Sequence, residues 1–169
     1  MPTVNHVPTL DISTSLTGCC PLIDPKEWDN KTFEFKDKLF VRAPVRSFLH
    51  IPLNMGSVMA KTQAAIDQAG ASVKDYLILS DEASAWRSDQ YFAVSKNVPG
   101  CTMIKLTGTY ITKVFEGPYR EAPKWYQELL SVAKEAGKEP KKTYFFYTVC
   151  PKCAKTYKKN YVVGFVQIA

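Results

Sequence analysis

Glu116 closes a mostly apolar run that begins at Tyr110, and a carboxylate in that position could do two kinds of chemistry. In an extended strand it shares a face with Tyr110, Thr112 and Val114, while Ile111, Lys113 and Phe115 point the other way. Beside aromatic walls its pKa would rise, which suits a general base acting on water. The same carboxylate could instead hold a cationic ligand in a desolvated cleft. A third reading makes it a solvated rim residue near the amino end of the next helix. Glu82, beside Asp81 at the end of the strand-like Tyr76–Ser80, either overhangs such a cleft or lies in solvent. Tyr147 can polarise a substrate atom, so a carboxylate with this tyrosine is the least apparatus a hydrolase needs. Tyr110, Trp86, Tyr119 and Trp125 can supply the aromatic walls of a site for a flat apolar molecule. Trp125, at helical spacing with Leu129, reads equally as core. His50, in Phe48-Leu-His-Ile-Pro52, is either a ligand contact or a satisfied core histidine.

Cys150-Pro-Lys-Cys153 has the spacing that lets two thiolates reach one tetrahedral zinc. Cys20, from the Cys19-Cys20 pair, could add a third thiolate, with His6 or water as the fourth ligand. A redox role would require the motif to open a helix, whereas the following segment reads as a hairpin tip. Ordinary reduced thiols are the remaining reading. The carboxylate chemistry itself requires no cofactor. The chain contains no Gly-x-Ser-x-Gly elbow, His-Glu-x-x-His pair, Walker loop or dinucleotide fingerprint. Serine-triad and zinc-protease mechanisms are therefore not expected.

These residues need a scaffold, and 169 residues with 46% hydrophobic and 22% charged composition suit one globular domain over 1–169. No window approaches a membrane span, and Met1–Asp11 lacks a basic region followed by an apolar core, so a cytoplasmic protein without a membrane partner is expected. The net charge of +6 is concentrated between Lys134 and Lys159, where eight lysines face Glu135 and Glu139. That segment has no arginine and no recognisable reading element, so nucleic acid is not the expected partner. Oligomeric state is not legible.

Short strands are expected at Thr32–Phe35, Leu39–Arg42 and across Val45–Leu53, after a loop from Gly18 to Asn30. A helix capped by Asn54 carries Met55, Val58, Met59, Ala65, Ile66 and Ala69 at spacings of three and four, and stops at Gly70. Strands at Tyr76–Ser80 and Gln90–Ser95 complete a first cycle. A second cycle has strands at Cys101–Leu106 and Thr109–Phe115, a helix from Trp125 to the Gly137 stop, and strands at Thr143–Val149 and Tyr161–Ile168. The two cycles, about 42–98 and 101–169, keep one offset from helix end to next strand, which points to internal duplication.

The stretch Thr109-Tyr-Ile-Thr-Lys-Val-Phe-Glu-Gly-Pro-Tyr119, followed by Trp125, Gly137 and Tyr144-Phe-Phe-Tyr147, resembles the second half of GyrI-like small-molecule-binding domains. Val45–Ser95 resembles their first half. With the Cys-Pro-Lys-Cys turn and the final Lys-Asn-Tyr-Val-Val strand, the chain is similar to the standalone bacterial branch often labelled hydrolase. The resemblance implies an α+β fold of two strand–helix–strand–strand modules related by a pseudo-twofold, with antiparallel sheets around a central cleft. It also implies a lipophilic small molecule in that cleft, cationic or electrophilic, with hydrolysis in some members. Regulators of the family place a glutamate on the last strand, but Tyr161–Ile168 has no acidic residue, so an acidic role must fall elsewhere. The competing expectation is a non-enzymatic module that meets an acidic protein through its lysine-rich carboxy-terminal hairpin.

Overall fold

The computed structural model describes residues 4–9, 22–49, 51–82, 86–148, 153, 155 and 158–169. Its elements run α1 (Pro25–Trp28), β1 (Thr32–Phe48), β2 (Ile51–Pro52), α2 (Met55–Gln68), β3 (Ile78–Asp81) and β4 (Arg87–Ala93). They continue with β5 (Thr102–Glu116), a 3-10 turn (Tyr119–Glu121), α3 (Ala122–Glu135), β6 (Thr143–Tyr147) and β7 (Tyr161–Gln167). Six strands pair antiparallel in the order β1-β4-β3-β6-β7-β5, and β5 pairs back onto β1 to close a barrel. The mixed α and β architecture and the antiparallel pairing are as expected, but the strands do not form separate sheets around a central cleft. One continuous sheet curls on itself, and a barrel of six strands is narrow enough for side chains to fill.

Alternation along the strands fills it. Phe40, Leu79, Tyr91, Tyr110, Tyr144, Phe146, Val163 and Phe165 pack inside in one buried cluster. Their sequence neighbours point outward and are covered by helices. Val41, Ile78 and Phe92 lie in a cluster with Ile66 of α2, and Phe115, Phe145, Val162 and Val166 lie in one with Trp125, Leu129 and Ala133 of α3. β7 is buried on both faces, which explains its unbroken apolar run from Val162 to Val166. Gly164 is required beneath α3, because a Cβ there would stand 2.9 Å from the Phe115 ring and 3.0 Å from both Leu129 methyls.

The three extended runs expected between Thr32 and Leu53 resolve into one 17-residue strand and a hairpin. A bulge lies between Phe35, opposite Gly108, and Lys38, opposite Leu106. The extra residue switches the inward set from Phe33 and Phe35 to Lys38 and Phe40, and Asp37 takes a left-handed backbone to make the turn (φ 50°). Pro44 is tolerated because β5 pairing ends at Arg42, leaving one side of β1 free. The segments on either side of Gly108 likewise merge into the single strand β5. Both helices stop where expected, with Gly70 and Gly137 left-handed at their carboxy ends (φ 63° and 73°). Asn54 precedes α2 without capping it, since its Oδ1 accepts from the Arg46 backbone N–H at 2.8 Å.

The segment expected as loop contains α1. Asp24 caps it by accepting from Lys26 N at 3.0 Å, and Trp28 is fully buried. The indole lies 5.4 Å from the Phe146 ring and 5.9 Å from Phe33, packed in the barrel cluster. Thr112 Oγ1 donates to the Trp28 carbonyl, and Val114 N donates to Asp29 Oδ1 at 2.8 Å, so side chains complete the backbone bonding there. No helix among the described residues is long and apolar enough to cross a membrane.

Candidate functional site

The outer face of the barrel carries a polar patch where β3 meets β6, with Ser80, Ser88 and Gln90 buried and Glu82 exposed above them. Ile78 points outward under α2, so Ser80 two residues on is also outward, and Phe145 places Tyr147 outward on β6 by the same parity. Tyr147 Oη donates to Glu82 Oε1 at 2.7 Å, across 65 residues of sequence. Ser80 Oγ donates to the same oxygen at 3.4 Å. Behind them Gln90 Nε2 donates to Ser80 Oγ at 2.8 Å and to Ser88 Oγ at 3.4 Å. Ser80, Ser88 and Gln90 are all buried, so the chain of donors fixes the floor beneath the carboxylate.

Aromatic rings frame Tyr147. Tyr119, from the 3-10 turn, meets it edge-on at 5.6 Å, and Phe145 lies 6.1 Å away. Burial raises the Tyr147 hydroxyl well above its ordinary value of 10, and the Glu82 carboxylate raises it further. Tyr147 therefore keeps its proton across the neutral range. It can donate a hydrogen bond but cannot act as a base, and Glu82 Oε1 accepts that bond.

Glu116 is placed differently. Tyr110, Thr112 and Val114 face the barrel interior as the alternation required, and Glu116 continues that parity into solvent at the rim. Phe115 faces outward with Phe145, so Glu116 and Tyr147 belong to opposite faces of the sheet. Glu116 lines an open groove of about 380 Å³ with Gly117, Pro118, Tyr119, Lys158, Lys159 and Asn160. Tyr110, expected as a cleft wall, is buried inside the barrel, and desolvation pushes its hydroxyl up to about 12. Trp125 is likewise core, stacked on Phe115 at 5.6 Å with 16° between the rings. Trp86 is exposed, and its ring meets Phe48.

Cys153 is buried, whereas Cys20, Cys150 and His50 lie outside the described residues, as does much of the lysine-rich tip. Among the described residues no group of three or more His, Cys, Asp or Glu is placed to hold a metal ion. Ser80, Ser88 and Gln90 were not singled out from the sequence. The polar run Arg87-Ser-Asp-Gln90 that opens β4 reads as solvent-facing, so nothing in the sequence marked Ser88 and Gln90 as buried.

A family model described as bacterial hydrolase matches residues 10–168. No curated protein matches the chain.

Proposed function

The chain belongs to the bacterial hydrolase family, and from that premise we propose that it binds a lipophilic small molecule over the β3–β6 patch and hydrolyses it. The observation that carries this reading is the 2.7 Å hydrogen bond between Tyr147 and Glu82 beside aromatic rings. Glu82 takes a proton from water as the water oxygen bonds to an electrophilic carbon of the substrate. The bond from that carbon to its leaving group breaks. Tyr147, released to the substrate, donates a hydrogen bond to the charge arriving on the leaving group. The proton on Glu82 then passes to that group, so water supplies every atom added. The lysine-rich hairpin is not needed for this reading, and Lys142 is already committed to Asp81 at 2.8 Å.

The same reading takes in the GyrI-like resemblance and an internal duplication. Both ends of α2 and α3 are offset by 67 residues, from Met55 to Ala122 and from Gln68 to Glu135. The sheet order is unchanged when the halves exchange places, since β1, β3 and β4 answer to β5, β6 and β7. A pseudo-twofold relating the halves would pass through the β3–β6 seam and, on the opposite side of the barrel, through the β1–β5 seam.

Mass spectrometry of a panel of lipophilic esters, strained electrophiles and lipophilic cations, incubated with the protein, tests the proposal. A water adduct is expected, formed about a hundredfold or more slowly by Glu82→Gln and by Tyr147→Phe. If Glu82→Gln converts normally while Glu116→Gln does not, the base moves to the rim groove. Retention of compounds without conversion would make the protein a binder.

A further inference from the structure

Phe48, Leu49 and Leu53 of the β1–β2 hairpin are 54%, 59% and 67% exposed, and Trp86, whose ring meets Phe48, is 59% exposed. The backbone fixes that arrangement. Phe48 pairs with Ile51 and Ser47 with Pro52, Leu53 N donates to the Arg46 carbonyl at 2.9 Å, and Ser47 N donates to the Trp86 carbonyl at 2.7 Å. The Phe48 and Trp86 rings stand edge to face at 5.6 Å. Exposed large apolar side chains grouped in this way mark an interaction surface.

Charge beside the tip identifies what it meets. Arg46 and Arg87 are directly opposite each other in the β1–β4 ladder. Like charges in that position are destabilising unless an anion offsets them. Asp89 answers Arg87 at 3.0 Å, and Asp81 is committed to Lys142. Arg87 and Lys142 are thus paired, and among the described residues Arg42 and Arg46 remain without an ion-pair partner. A second copy of the chain on the same tip would bring these cations toward one another across a twofold, which disfavours self-association. A layered partner with an apolar interior and an anionic surface fits both features.

We propose that this tip docks on an anionic phospholipid bilayer. Phe48, Leu49, Leu53 and Trp86 enter the boundary between headgroups and acyl chains, and Arg46 meets lipid phosphate. The proposal goes beyond the hydrolase reading and stands whether or not that reading does.

Flotation with vesicles of phosphatidylglycerol and phosphatidylcholine in equal parts, beside phosphatidylcholine alone, tests it. Trp28 and Trp125 are buried, so a blue shift of tryptophan emission on binding reports Trp86. The protein is expected to float with the mixed vesicles, to shift its emission, and to detach as salt is raised. Phe48→Ser with Leu53→Ser should lower the partition coefficient about tenfold or more, and Arg46→Glu by a similar factor. All three positions are exposed, and circular dichroism checks that the variants fold. Equal flotation with phosphatidylcholine alone would overturn the assignment to anionic lipid. Failure to float, or a dimer in sedimentation that Leu53→Ser dissociates, would overturn docking on lipid altogether.

Discussion

Tyr110, Tyr144 and Tyr147 are phenols in very different employment. The first two fill the barrel, with rings 6.1 Å apart, and the third lies on its outside beside a carboxylate. All three are raised by burial. For Tyr110, raised from 10.0 to about 12, the folded state holds its proton where the unfolded chain has lost it. Its contribution to stability is therefore complete below pH 10 and falls as pH climbs toward 12, by about 1.4 kcal/mol per pH step. Urea denaturation at pH 8.5 and near pH 11 should show this loss in the native protein and a smaller one in Tyr110→Phe. An equal loss in both proteins would place the titration elsewhere. The sequence told which face of its strand Glu116 shares, because alternation is a local property. It did not tell that this face turns into a packed barrel, nor that Tyr147 would find Glu82. Both facts depend on closure of the sheet, which brings together strands 65 residues apart.

At the scale of elements, the bulge in β1 decides more than any single contact. It allows one strand to send Phe33 and Phe35 inward before it and Phe40 inward after it. The apolar pattern on either side was legible in the sequence, but it read as two strands because the parity changes between them. Helix limits were easier, since Gly70 and Gly137 mark them chemically. Deleting Asp37 would restore simple alternation and turn Phe33 and Phe35 into solvent, or else force the ladder to slip. A loss of about 4 kcal/mol or more is expected, comparable to truncating a buried phenylalanine. Asp37→Gly relieves the left-handed backbone and should change stability by about 1 kcal/mol or less. Urea midpoints of the two variants separate a register effect from a conformational one, and a mild deletion phenotype would mean that the ladder tolerates the shift.

Across the whole molecule, the barrel is closed by two seams of unequal strength. β1 and β5 pair across one bulge from Thr32 opposite Ile111 to Arg42 opposite Thr102, whereas β3 and β6 share the single registered pair Ser80 and Phe145. The Tyr147–Glu82 hydrogen bond helps to hold the weaker seam. Native-state hydrogen exchange should find amides of the β1–β5 ladder protected to the global limit and those of β3 and β6 opening at lower free energy. Tyr147→Phe should widen the difference, and uniform protection around the barrel would refute the inequality. The sheet order carries a further consequence for anyone who would take the protein apart. β1, β4 and β3 are neighbours, as are β6, β7 and β5, and each trio comes from one continuous half of the chain with its own helix. A break between Ala93 and Thr102 would cut no trio, yet it would lay half of an aromatic interior bare on each piece. Such fragments would have reason to find one another, and reassembly would become a matter of concentration, as in a split reporter.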